Sequence, residues 1–294
     1  MDIYRLKPYI HKIKGAKGYA LFDILHKKFY RLSPEGDPEK LIEALMEEGL
    51  IFNTNGVVPF PIEIDFLEEV NKLNIRELQI RINGRGEDNC WKRTRKDGPV
   101  LAMDIKIIER IGHACGHIPV KKLRIEAEKW EEDKIEKIIN EVFSETIDLF
   151  IAESPGKDII DRFRETCLAK NRLSTFHECN KWNIGEIQVD IHNFFYSRQF
   201  NPCLGHQVAI DIGGEIRPCL WSAIEIGHIT RYNLKDLIVA GTFDKYWMLS
   251  KDEIEVCKDC ECRYNCLDCR VFGEETGTMS AAKPLFCDFD PYPG

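Results

Sequence analysis

At 294 residues and 34.1 kDa, with 44% hydrophobic and 31% charged residues, the chain is long enough to bury one large core or two or three smaller ones. A formal net charge of -8 and the lack of any apolar run approaching the roughly 18 residues of a spanning helix argue against a membrane protein, and no nucleic-acid partner is expected. Met1-Asp2-Ile3-Tyr4-Arg5 has neither the basic region nor the apolar stretch of a secretory signal, so a cytoplasmic, reducing location is expected, where 12 cysteines point first to metal.

Residues 1–60 read as a small β-rich domain with one helix. Tyr19 to Leu25 and Phe29 to Leu32 are apolar stretches between the polar turns Gly15-Ala16-Lys17-Gly18 and His26-Lys27-Lys28, a pattern of hairpin strands. Asp37 as N-cap, Pro38 at the first helical position and the stripe Leu41, Ala44, Leu45 and Met46 predict a helix that Gly49 ends. Leu50 to Phe52, the Asn55-Gly56 turn and Val57 to Phe60 predict a closing hairpin. Strand, strand, helix, hairpin is a winged-helix order. Residues 1–31 carry eight Lys or Arg against two acidic residues, a surface that either attracts an acidic peptide or is simply solvated.

Pro59 and Pro61 mark the boundary to residues 61–200, where strand and helix patterns alternate. Glu77 to Ile82, Lys122 to Ala127, Thr146 to Ala152 and Glu186 to Ile191 predict strands; Asp65 to Leu73, Asp104 to Cys115, Glu131 to Phe143 and Lys157 to Leu168 predict helices. Repeated βα units predict an α/β fold with a mostly parallel sheet, open or closed into part of a barrel, and this length excludes eight units.

From about residue 201 regular periodicity fades, and eight of the 12 cysteines fall in the last 92 residues: Cys203, Cys219, Cys257, Cys260, Cys262, Cys266, Cys269 and Cys287. Cys257 to Cys269 reads CKDCECRYNCLDC. Each CxxC puts two thiolates on one tight turn with little loop-closure cost, which suits iron or zinc. Free thiols crowded this closely would be reactive, so a purely structural role is a poor alternative.

The wider spacing, Cys203, fifteen residues, Cys219, then Cys257, Cys260, Cys266, Cys269 and finally Cys287, resembles the SPASM domain, the auxiliary-cluster module of peptide-modifying radical S-adenosylmethionine enzymes. GGEIRPCLWSAIEIGHI, with Leu234 and Trp247 beyond it, is similar to that family's glycine turn and following helix. The resemblance implies two [4Fe–4S] clusters in an irregular C-terminal domain over 201–294. Cys203, Cys219 and Cys269 serve the first; Cys257, Cys260, Cys266 and Cys287 serve the second. Two residues rather than the family's three separate Cys266 from Cys269, and the first cluster lacks an obvious fourth ligand. Cys179, His206, Cys262 or an open iron site are the alternatives, with Cys262 otherwise a bystander.

Radical enzymes of this kind need a CxxxCxxC after the first barrel strand. After Leu78 to Ile82 the chain reads NGRGEDNCWKRTRKDG, with Cys90 alone among the basic residues Arg85, Lys92, Arg93, Arg95 and Lys96. The resemblance therefore implies a degenerate partial (β/α) barrel over 61–200 that does not cleave S-adenosylmethionine. His113 and His117, spaced i, i+4, and His177-Glu178-Cys179 are further ligand patterns with ordinary capping or loop alternatives.

Together with IHKIKGAKGYALFDILHKKFYRLSP near the N-terminus, the three zones resemble SPASM-domain peptide maturases encoded beside an ATP-grasp ligase, and pseudo-radical-SAM proteins of ribosomal peptide modification. That implies a precursor leader peptide and an ATP-grasp ligase or other peptide-modifying enzyme as partners. Two alternatives stay open: a redox or Lewis-acid enzyme acting through an open iron of the first cluster, and a zinc-stapled interaction protein. Whether the chain catalyses a reaction is left open by its residues.

Overall fold

The computed structural model describes residues 4–33, 37–53, 75–85, 100–115, 118–127, 131–142, 144–151, 167–170, 189–266, 269–270, 281–284, 287 and 289–292. The chain is α/β with sheets of mixed orientation. Among the described residues no helix is long and apolar enough to cross a membrane.

Near the N-terminus, β1 (Tyr4–Leu6), β2 (Ile10–Lys14), β3 (Tyr19–Asp23) and β4 (Lys28–Leu32) precede α1 (Pro38–Glu47) and β5 (Ile51–Asn53). Strands β2, β3 and β4 form an antiparallel meander. One face, with Ile10 and Leu21, packs with Leu45 of α1, Leu50 and Leu32. The other, with Ala20 and Phe22, meets Phe194, Phe195 and Tyr264 from far along the chain. The Asp37 carboxylate accepts the Glu39 N–H at 3.0 Å with Pro38 at the start of α1, and Gly49, at φ +68°, takes the left-handed turn after it.

Two details differ from the sequence reading. Ile10–Lys14 is a strand, because His11 and Ile13 face the aromatic cluster while Lys12 and Lys14 stay exposed, as an edge strand permits. Strand β5 pairs with β1, Leu6 opposite Ile51, a partner the sequence did not suggest; Val57 to Phe60, the other half of the predicted hairpin, lie outside the described residues.

Among the described residues the large sheet has eight strands: β6 (Ile75–Arg85), β7 (Val100–Ala102), β8 (Val120–Ala127), β9 (Ser144–Ile151), β10 (Cys167–Lys170), β11 (Gln207–Ile210), β12 (Glu215–Arg217) and β13 (Gly227–His228). Their order is β10-β9-β8-β6-β11-β12-β13, with β7 antiparallel on the end of β6. From β10 to β11 the strands are parallel, whereas β12 and β13 are antiparallel additions. The period-2 pattern gives this sheet two unlike faces. Leu78, Ile80, Ile82, Leu123 and Ile125 pack with Ile108 and Ile111 of α2 (Ile105–Cys115) and Ile135 and Ile138 of α3 (Glu132–Glu141). On the opposite face Arg81 bridges Glu126 at 3.5 Å and Asp211 at 3.4 Å, and Arg124 meets Glu126 at 2.8 Å.

Three predictions are corrected here. Glu186 to Ile191 is not a strand through its end: Asp190 accepts the Asn193 N–H at 2.8 Å and caps α4 (Ile191–Gln199), so cap chemistry overrides the alternation of Val189 and Ile191. Cys167 and Leu168, placed in a helix, belong to β10 beside β9. The boundary drawn at residue 200 falls inside one sheet, since β11 pairs with β6 and Leu204, Val208 and Ile210 share the core of β6 and β8. The predicted helix Asp65 to Leu73 lies outside the described residues.

Candidate metal centre

Two groups of cysteines are assembled by different means. Cys203 follows α4 in a turn tied by Asn201, whose Oδ1 accepts the N–H of Cys203 at 3.0 Å and of Leu204 at 2.9 Å. Arg76 of β6 donates to the Cys203 carbonyl at 2.7 Å. Cys219 follows β12. The β11–β12 hairpin, Ala209 opposite Arg217, returns the chain through Gly214 at φ +94° and brings the residue stretches before β11 and after β12 to one end. Gln79 on β6 accepts the Leu220 N–H at 3.2 Å, and Gln207 donates to the Pro218 carbonyl at 3.2 Å. Cys219 and Cys269 are buried in the main apolar core, with Cys203 packed against it.

The second group lies beyond α5 (Leu234–Val239) and α6 (Asp244–Trp247), where no strand or α-helix is found among the described residues. A short 3-10 turn at Cys257–Asp259 carries the first CxxC and a second at Arg263–Asn265 leads into Cys266, closed by Cys260 N–H to Cys257 carbonyl at 2.9 Å and Asn265 N–H to Cys262 carbonyl at 3.1 Å. Val256, next to the first ligand candidate, sits at φ 67°. A β-branched residue there stores strain on the order of 1–3 kcal/mol and persists only where its surroundings over-determine it.

Electrostatics ties the second group together. Burial pushes the Cys266 thiol up to about 11, Lys251 opposes this, and Cys257, Cys260 and Cys287 reinforce it. Burial also raises Cys257, against Lys251 and Arg270 and with Cys287 and Cys260. Cys257, Cys260, Cys266 and Cys287 are therefore electrostatic neighbours. Cys260 is the exception in sign: hydrogen bonding from Cys262 lowers it, and the Cys262 N–H donates to its Sγ at 3.4 Å. Cys262 is itself buried, with its thiol driven up by its own side-chain hydrogen bond to Cys260 and by burial.

Two cations lie among these sulfurs. Lys251 and Arg270 are both 0% exposed. Lys251 interacts with Cys266, Cys257 and Cys287, and Arg270 with Cys257, Cys203, Cys266 and Cys269, so Arg270 joins the two groups. Burial lowers the pKa of each, and the nearby sulfurs oppose that shift. A buried cation needs compensating negative charge, and protonated thiols supply none. A tetrathiolate metal group does, since its four thiolates outweigh the charge of zinc or of a cubane core. The Asn265 amide, 3% exposed and preceding Cys266, has neither its oxygen nor its nitrogen hydrogen-bonded among the described residues. Such an orphan is the usual mark of an unplaced ion or water. In charge and donor type these residues suit a thiolate-bound metal at Cys257, Cys260, Cys266 and Cys287. Among the described residues no three His, Cys, Asp or Glu side chains converge into a closed ligand shell, so the thiols form a neighbourhood rather than a finished cage.

The other ligand patterns fare differently. His206 packs with Phe200, Trp247 and Tyr196, with Nδ1 bonded to the Tyr196 hydroxyl at 2.8 Å. Cys115 lies in the sheet core, where burial raises its thiol to about 12. His113 is exposed on α2. Cys90, His117, His177, Glu178 and Cys179 lie outside the described residues. Sequence reasoning missed Lys251, Arg270 and Asn265. The available signal was position, since Lys251 precedes the cysteine run and Arg270 follows Cys269 directly.

No family model matches the chain, and no curated protein matches it. Among solved structures it is similar to Streptococcus suis SuiB bound to S-adenosylmethionine, at 11% identity and a TM-score of 0.30, over 93% of this chain and 97% of that one.

Proposed function

We propose that this chain is an iron–sulfur protein of ribosomal peptide maturation that binds a precursor peptide, or the enzyme modifying it, without cleaving S-adenosylmethionine. Residues 1–60 recognise the peptide, residues 61–200 belong to a degenerate radical-type βα domain whose sheet continues through β11, and the cysteines of 201–294 make the SPASM module. The observation carrying this reading is the gathering of Cys257, Cys260, Cys266 and Cys287 about buried Lys251 and Arg270. When bound, two [4Fe–4S] clusters supply one-electron chemistry, or a Lewis-acidic iron where Cys203, Cys219 and Cys269 provide only three thiolates. The chain's own residues supply burial and charge balance. An ATP-grasp ligase or another modifying enzyme is the partner in this reading.

The peptide half rests on the meander. Lys12 and Lys14 are exposed on β2, and among the described strands β4 pairs only with β3, leaving an edge that an extended peptide can join. Full-length, iron-loaded protein titrated calorimetrically with the precursor encoded beside it is expected to bind, and added salt is expected to weaken binding. Lys12→Glu with Lys14→Glu weakens it further. Release of 5′-deoxyadenosine from S-adenosylmethionine, or no affinity for the precursor, overturns the reading. Zinc held by the same four thiols in an interaction protein is the competing account, because that donor set suits zinc equally well.

A further inference from the structure

The N-terminal meander meets the cysteine loop through the residues that separate its ligand candidates. The Ala16 N–H, in the β2–β3 turn, donates to the Asp259 carbonyl at 2.7 Å, between Cys257 and Cys260. Arg31 on β4 donates through Nε at 3.1 Å and Nη2 at 2.7 Å to Oε1 of Glu261, between Cys260 and Cys262. Arg263, between Cys262 and Cys266, donates at 3.0 Å to both the Lys14 and the Cys260 carbonyls. Arg31 also lies 4.9 Å from the Phe289 ring centroid, two residues past Cys287.

This seam is closely fitted. A Cβ at Gly15 would stand 2.6 Å from the Glu261 backbone nitrogen, a clash that only glycine avoids. The Glu261 side chain is 2% exposed while that of Arg31 is 42% exposed, so the carboxylate is committed to the interface and the guanidinium reaches in from solvent. Glu261 Oε2 has no hydrogen-bond partner among the described residues, which leaves the Arg31 bond as the recorded compensation for a buried charge. The docking points are thus backbone and side-chain groups whose positions follow from how the CxxC turns are closed.

We infer that metal binding at Cys257, Cys260, Cys266 and Cys287 and docking of the N-terminal meander on the loop between them are one linked equilibrium, with Glu261 and Arg31 as its positioning pair. The inference rests on the metal-binding half of the reading above and not on the peptide. Fixing the thiolates fixes Asp259, Glu261 and Arg263, and linkage makes the effect reciprocal: a docked meander slows metal loss. The state of the metal centre is thereby transmitted to β2 and β4, the strands offered to a peptide.

The test uses the full chain, with bound iron and zinc counted first. Hydrogen exchange followed by mass spectrometry on metal-loaded and chelator-stripped protein is expected to show the Ile10–Leu32 segment exchanging at least about fivefold faster after stripping, the low end of coupling between linked sites. Ile105–Cys115 stays unchanged. Glu261→Gln and Arg31→Gln are each expected to speed metal release to a chelator, and the double variant to be no faster than the faster single one. Because Arg31 is half-exposed, Arg31→Gln keeps the test open should Glu261→Gln fail to fold. Bound metal together with unchanged exchange at Ile10–Leu32, or unchanged release from Arg31→Gln, overturns the inference alone. A protein that binds no metal overturns it together with the metal reading.

Discussion

In β6 and β8 the interior is aliphatic: Leu78, Ile80, Ile82, Leu123 and Ile125 are fully buried against isoleucines of two helices, and a backbone ladder joins the strands. Between Lys251 and Arg270 the buried set among the described residues is instead Lys251, Glu261, Asn265 and Arg270 with the thiols of Cys257, Cys262 and Cys269 and only Ile254 and Tyr264 besides, on a backbone of two 3-10 turns. Apolar burial stabilises the first region without help. The second region buries charges whose desolvation the hydrophobic effect does not offset, and the proposed metal–thiolate centre would supply both countercharge and a cross-link.

The largest expected effect lies in the sheet. Ile125→Ala removes a fully buried side chain beside Ile80 and is expected to cost about 2–5 kcal/mol in denaturant unfolding, with metal per folded molecule unchanged. A loss of metal in step with that destabilisation would show that the two regions are not held by separate means. Next comes Cys260→Ala, which is expected to leave about half the iron, because three thiolates hold a cubane poorly outside a dedicated open site. Cys115→Ala, in the sheet core, is the control that leaves iron content untouched.

A third prediction concerns pH. Cys266, with its thiol pushed up to about 11, and Cys257, also raised, are protonated near neutrality in metal-free protein, so a metal must displace those protons. Apparent metal affinity is expected to rise with pH, by up to about tenfold per unit for each proton released, until pH passes the thiol values. Chelator competition between about pH 6.5 and about pH 8.5 checks the slope, and a flat profile contradicts it. The smallest effect is at Val256, held at φ 67°: Val256→Gly is expected to relieve local strain, raising stability by about 1 kcal/mol or less after the entropic cost of glycine.

The same contrast explains how much the sequence revealed. Strands β6 and β8 were legible because their alternation matches a sheet with one aliphatic face, α2 and α3 because of their apolar stripes, and α1 because stripe and cap agreed. Strand β2 was hidden, since Lys12 and Lys14 on an edge look like a loop. The start of α4 was disguised by the spacing of Val189 and Ile191, which competed with the Asp190 cap. The cysteine spacing pointed to two groups, and Cys257, Cys260, Cys266 and Cys287 are electrostatic neighbours, while their role as ligands is the proposal made above. Lys251 and Arg270 were not, because a buried cation cannot be told from a surface one until the fold encloses it. The seam from Arg31 to Glu261 joins residues 230 positions apart, beyond the reach of any local pattern.

The most direct test of a metal-built C-terminal region is the iron, acid-labile sulfide and zinc content of the full-length chain after anaerobic purification and cluster loading. Two cubanes predict about eight irons with matching sulfide and negligible zinc. Stoichiometric zinc without sulfide, or protein that stays folded through Lys251 to Arg270 with no metal at all, would contradict the account.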